Sequence, residues 1–111
     1  MATDREYMQF ILDQLSGLGG LSCRPMMGEY VLYLGGRVVG GIYDDRLLVK
    51  PTASARRLLP DAPLELPYEG AKEMLLVDSV DDREFLRGLI EAVAEELPEP
   101  KRKSRRAGTG R

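Results

Sequence analysis

Few residues in this chain could do chemistry, and their spacing argues against most reactions. Histidine is absent from the 111 residues, which removes His-assisted nucleophiles, His metal sites and the commonest general bases. Adjacent carboxylates occur at Asp44/Asp45 and Asp81/Asp82, without the alternating oxygen ligands of a calcium loop. The glycine pairs Gly35-Gly36 and Gly40-Gly41 fit neither phosphate-loop spacing, because neither lies on a strand-to-helix turn; they read as a hairpin turn and as small residues over which a helix packs. The single cysteine, Cys23, stands beside Arg24, and a neighbouring cation can lower a thiol pKa and make it reactive. The alternative for Cys23 is a small residue at a strand start. No catalytic, cofactor or metal set emerges, so the expectation is a protein that is not an enzyme and carries no cofactor; a small enzyme of unrecognised class is the contrary reading, since unusual sites occur outside known motifs.

What remains are residues suited to contacts. Arg24 and Lys50 stand at the two ends of a strand-rich stretch and are candidate contacts to an acidic partner, the alternative being salt bridges to Glu29 or Asp78. Met26 and Met27 read as core or edge filler, although flexible thioethers also suit adaptable binding surfaces. Residues 98–111 carry Lys101, Arg102, Lys103, Arg105, Arg106 and Arg111 against Glu99, a local charge of +5; the whole chain carries −2, so residues 1–97 carry −7. Lys101, Arg102, Lys103, Arg105 and Arg106 are the candidate nucleic-acid contacts. Such a cluster binds phosphate by counterion release, with steep salt dependence and little sequence preference, and no aromatic residue is interleaved for base stacking.

The elements that would position these residues follow from the hydrophobic pattern. Hydrophobic residues are 43% and charged residues 31%, the balance of a soluble globular domain. Thr3 to Glu6 (TDRE) has the form of a capping box, with Thr3 as cap. Tyr7, Met8, Ile11, Leu12, Leu15 and Leu18 then make one stripe of an amphipathic helix of about four turns. Gly17, Gly19 and Gly20 end it, and Leu21 to Met27, with Pro25 inside it, reads as an edge strand or an approach to one.

Glu29 to Leu34 alternates, Tyr30, Leu32 and Leu34 on one face and Val31 and Tyr33 on the other. Gly35-Gly36 turns it into Arg37 to Tyr43, and Asp44-Asp45 into a third strand, Arg46 to Lys50. Thr52 to Leu59 suits a short helix between Pro51 and Pro60. Leu64 to Leu66 reads as a short edge strand and Lys72 to Val77 as a buried one, their pairing left open by the sequence. Ser79 or Asp81 caps a last helix with the stripe Phe85, Leu86, Leu89, Ile90, Val93, Ala94 and Leu97. The whole is a two-layer α+β domain over residues 1–97, an antiparallel sheet with a three-strand meander covered by N- and C-terminal helices. After Pro98 the chain has no apolar residue but Ala107, and a disordered basic tail is expected.

The leading helix ending in LSGLGG, the Arg24, Met26 and Gly28 of RPMMG, and YVLYLGGRVVGGIYDDRLLVK ending on Lys50 resemble the TfoX N-terminal domain family, named for the TfoX (Sxy) regulators of bacterial competence. The resemblance covers residues 4 to about 97. Met27 stands where the family usually has phenylalanine, and LLVDSVDD replaces its later aromatic and proline signature. The resemblance implies a fold like that of type III secretion chaperones, no known enzymatic chemistry, and a protein-binding, competence-regulator-like role in transcription regulation. Longer members carry a C-terminal helical domain; a stand-alone N-terminal domain is expected here. The opening MATDREY lacks a basic start and an apolar run, so the expected location is cytoplasmic, with no membrane contact. An open sheet leaves an edge strand to pair or protect, which adds a homodimer to the expected partners.

Overall fold

Strict alternation of Tyr and aliphatic side chains with two-residue turns between them builds a meander, and in the computed structural model, which describes residues 3–98, that meander is four strands long. The strands are β1 (Leu21–Met26), β2 (Glu29–Leu34), β3 (Arg37–Tyr43) and β4 (Arg46–Val49). Each of its three turns has two central residues at positive φ: Met27 (53°) and Gly28 (88°), Gly35 (61°) and Gly36 (82°), Asp44 (53°) and Asp45 (58°). This is the conformation whose twist matches the strands it joins. The sheet is completed by β5 (Leu64–Glu65) and β6 (Met74–Val77) in the order β1-β2-β3-β4-β6-β5, and every pairing is antiparallel. The pairing that the sequence leaves open is thereby set: β6 inserts between β4 and the two-residue edge strand β5.

One irregularity interrupts the ladder. Leu32 pairs with Gly40 but Tyr33 with Val38, so Val39 is an extra residue in β3. A bulge of this kind adds local twist and bends the strand. Val39 is fully buried in the core, and Gly40, beside it, approaches β4 so closely that an added Cβ would lie 2.1 Å from the Leu48 carbonyl oxygen. The sequence expectation that Gly40 and Gly41 are small residues under a helix is therefore replaced by a close approach of strand to strand and of ring to strand. Gly40 meets the backbone of β4, and an added Cβ on Gly41 would lie 2.5 Å from Cε2 of the Tyr43 ring.

Three helices, α1 (Arg5–Gln14), α2 (Ala53–Leu58) and α3 (Arg83–Glu96), complete the fold. The stripes of α1 and α3 enter one core with one sheet face: Met8, Ile11 and Leu15 from α1, Leu86, Leu89, Ile90, Val93 and Ala94 from α3, over Leu32, Leu34, Ile42, Leu47, Val49, Leu75 and Val77. Burying a side chain of this size stabilises by about 1.5–3 kcal/mol. Both long helices are capped one residue or more later than the sequence suggests. Asp4, not Thr3, caps α1 by accepting from Glu6 N–H at 2.8 Å, and Asp82, not Ser79 or Asp81, caps α3 by accepting from Phe85 N–H at 3.1 Å. With ten residues, α1 is nearer three turns than four.

Thr3 is released for another task. It is buried; its N–H donates to Gly28 O at 3.1 Å, its hydroxyl lies 2.5 Å from Glu29 Oε1 and 3.1 Å from Ile42 O, and it accepts from Asp45 N–H at 3.3 Å. Glu29 Oε1 also accepts from Asp44 N–H, and Asp45 Oδ1 from Asp4 N–H. The strained Asp44-Asp45 turn is thus held by the start of α1. The proposed tail contacts Lys101, Arg102, Lys103, Arg105 and Arg106 lie outside the described residues.

Candidate functional site

Alternation sends the residues not used in the main core to the opposite sheet face, which none of the described helices covers. On the β3-β4-β6 side this face carries a second apolar cluster of Tyr43, Leu48 and Met74, with Leu76 packed against it. Segment 66–73 lies over the cluster. Pro67 is buried there, and the Tyr68 ring sits 6.0 Å from the Tyr43 ring at 56°, within the range of favourable tilted aromatic pairs.

Arg46 anchors the segment from beneath: Nη1 pairs with Glu65 Oε1 at 2.5 Å, Nη2 donates to Leu66 O at 3.2 Å, and Nε donates to Tyr43 O at 3.1 Å. Between segment and sheet runs a groove of about 590 Å³, with Val38, Tyr43, Lys50, Pro67, Tyr68 and Met74 among its walls. Burial, and after it the neighbouring Tyr68, Glu29 and Tyr33, pushes the Tyr43 phenol above its ordinary pKa of 10.0. The Tyr43 hydroxyl is therefore a protonated donor at any physiological pH.

The two meander-end cations are both on this outer face, but the fold does not bring them together. Arg24 projects from edge strand β1, its guanidinium 5.6 Å from the centre of the Tyr33 ring, a cation–π contact. Lys50 follows β4, its N–H donating to Val39 O at 3.0 Å, with its side chain half-buried at the groove. Three strand spacings separate them, roughly 14 Å. Neither forms an ion pair with another described residue. Glu29 is taken by Thr3 and Asp44, and Asp78 borders a different hollow, beside Leu59 and Phe85.

Cys23 lies on the opposite side of β1 from Arg24, packed against the main core, and burial pushes its thiol above the ordinary 9.0. Alternation, overlooked when the two are read as sequence neighbours, removes the activating cation from the thiol. Met27 is not filler either: it is 98% exposed at the tip of the β1–β2 hairpin, and Met26 is 36% exposed. The paired carboxylates serve the Asp44-Asp45 turn and the α3 cap. Among the described residues no group of three or more His, Cys, Asp or Glu could hold a metal ion. Tyr43, Tyr68, Lys72 and Met74, which build the groove, were missed by sequence reasoning. Only the isolated aromatic of PYEG, in a proline-rich stretch with no periodicity, hinted at them.

Over residues 13–95 the chain matches the family model described as TfoX N-terminal domain. It is similar to an uncharacterised 12.7 kDa protein in the trpE 5′ region of Spirochaeta aurantia, 36% identical over 102 residues, covering 91% of this chain and 89% of that protein. No solved structure matches the chain significantly. Among the described residues no helix is long and apolar enough to cross a membrane.

Proposed function

Because the chain belongs to the TfoX N-terminal domain family, we propose that it is a non-enzymatic interaction domain that acts through protein contacts in gene regulation, with the cytoplasm as its place of work. The observation that carries this reading is the edge strand β1. It is six residues long, paired on one side only among the described residues, and exposed over most of its length. In a two-residue hairpin the residues flanking the turn, Met26 and Glu29, exchange hydrogen bonds, so Leu21, Cys23 and Pro25 aim their backbone groups at the open edge. Pro25 sits where it has no ladder bond to lose. Leu21 and Cys23 present donors and acceptors to an added strand, a recurrent mode of protein recognition, and Arg24 supplies a cation on the exposed face. The added strand belongs to a protein partner or to the β1 of a second copy.

The test is affinity capture of native complexes together with mass measurement in solution. Wild type is expected to capture a partner or to dimerise. Cys23→Pro deletes an outward donor without deleting a ladder bond, and should lose the association while melting near wild type. A wild-type chain that is strictly monomeric at high concentration and captures no protein sinks the proposal.

A second reading rests on the charge asymmetry, +5 over residues 98–111 against −7 before them: a nucleic-acid-associated protein tethered through Lys101, Arg102, Lys103, Arg105 and Arg106. Salt titration of DNA or RNA binding, with and without residues 98–111, decides it. Absence of binding by the full-length chain at low salt removes it.

A further inference from the structure

We propose that the groove between the outer sheet face and segment 66–73 is a binding site for a small amphipathic carboxylate, a molecule with one anionic group on an aromatic or branched apolar body. The site is distinct from the β1 edge and does not depend on it. At about 590 Å³ the groove falls within the range of roughly 300–1,000 Å³ that small-molecule sites occupy. Its walls are mainly apolar: Val38 on β3, Met74 on β6, Pro51 and Pro67 at the margins, and the Tyr43 and Tyr68 rings, 6.0 Å apart at 56°.

The polar groups are few and of one dominant sign. Lys50 and Lys72 line the groove against a single acid, Glu73, and neither lysine is ion-paired with another described residue. Two ammonium groups without an ion-pair partner among the described residues stand out in a body that carries −7 over residues 1–97. Lys50 is half-buried and Lys72 exposed; an ammonium beside apolar walls gains most from a counter-ion whose remaining surface is itself apolar, since that ion desolvates with it.

Phosphate recognition usually relies on an arginine fork or a helix N-terminus, and the groove lining contains neither. A carboxylate needs one point charge and one or two donors. Lys50 supplies the charge, and Tyr43, which lines the same groove, is the candidate hydroxyl donor, kept protonated by its burial. The close approach of Gly41 to the Tyr43 ring is what allows that ring to lie flat along β3 and leave the groove open.

The experiment is a titration of the isotope-labelled full-length chain with 3-phenylpropionate, its neutral amide and inorganic phosphate, followed by NMR. Expected for the carboxylate is a Kd of about 1 mM, typical of a ligand this small, with shifts at Val38, Tyr43, Lys50 and Tyr68. The amide should bind at least about tenfold more weakly, as should the carboxylate to Lys50→Met, which keeps the apolar stem and removes the charge. Lys50→Arg should stay within a few-fold of wild type, and the acid-against-amide comparison on the wild-type chain carries the test of charge if Lys50→Met fails to fold. The proposal is overturned by the absence of groove shifts at about 10 mM carboxylate, by equal binding of acid and amide, by unchanged binding to Lys50→Met, or by phosphate binding as tightly as the carboxylate.

Discussion

Replacing Gly40 by alanine should be among the most damaging single-methyl changes available to this fold. The added Cβ would lie 2.1 Å from Leu48 O, 2.9 Å from Val49 Cα and 3.1 Å from the Leu48 carbonyl carbon. A relaxed carbon–oxygen contact is about 3.3 Å, so β3 and β4 must separate by about 1 Å. That movement stretches neighbouring ladder bonds past the limit of about 3.2 Å, including the Lys50 N–H to Val39 O bond, now 3.0 Å. Overpacking of a filled interior costs about 1–3 kcal/mol, and two weakened backbone bonds add about 1 kcal/mol each. The sum, about 3–5 kcal/mol, is a large part of the roughly 5–15 kcal/mol that holds an ordinary domain together.

Urea unfolding reads this directly, and with a slope of about 1.5 kcal/mol per molar the midpoint should fall by about 2–3 M. Gly88→Ala is the control. Gly88 is inside α3 with nothing within 4 Å of an added Cβ, and alanine there should stabilise by about 0.5–1 kcal/mol. A Gly40→Ala midpoint within about 0.5 M of wild type would show that the bulge can relax at little cost, and would refute the close approach as a constraint.

Met27 holds a left-handed φ of 53° while 98% exposed, so Met27→Asn, which creates the preferred Asn-Gly turn with Gly28, should stabilise by about 0.5–1 kcal/mol, seen as a melting temperature a few degrees higher. Thr3→Val keeps the shape but leaves Asp45 N–H without its hydroxyl acceptor, and should cost about 1–3 kcal/mol in the same unfolding assay. Glu96 accepts from the Ser54 hydroxyl and, at 3.0 Å, from Ser54 N–H, which with those bonds as leading causes lowers its pKa below the ordinary 4.5. A carboxylate whose folded pKa is depressed contributes stability above the unfolded value and loses it as pH falls through the folded one. The urea midpoint should therefore decline below about pH 4.5 less steeply in Ser54→Ala than in wild type, and identical slopes would remove Glu96 from the acid response.

Much of the architecture was legible because the two periodicities are clean. β2 and β3 have the bounds that alternation and Gly35-Gly36 imply, and the stripes of α1 and α3 enter the core residue by residue. Failures occurred where several local chemistries compete. TDRE and SVDD each offer more than one capping oxygen, and the contacts that decide, such as Thr3 with Glu29 and Ile42, are long-range. Methionine is not a turn residue, so the Met27-Gly28 hairpin left no trace. The extra residue at Val39 is invisible in a run of Val and Gly that alternates equally well in either register. The candidate site was less legible than the fold, because its lid is a proline-rich segment without periodicity, and its floor depends on which face of the sheet the helices leave bare.

The three two-residue turns also bear on how the chain finds its structure. Each lets a strand meet its predecessor after the smallest loop a hairpin allows, so the pairing of β1 through β4 incurs little closure entropy and can proceed on the microsecond scale of hairpins. The strand that follows in the sheet, β6, must wait for the chain to pass through α2 and the proline-rich segment before it can dock on β4. The strand pairing of greatest sequence separation thus falls on the half of the sheet that carries the groove, and the β4 edge is covered only once β6 docks.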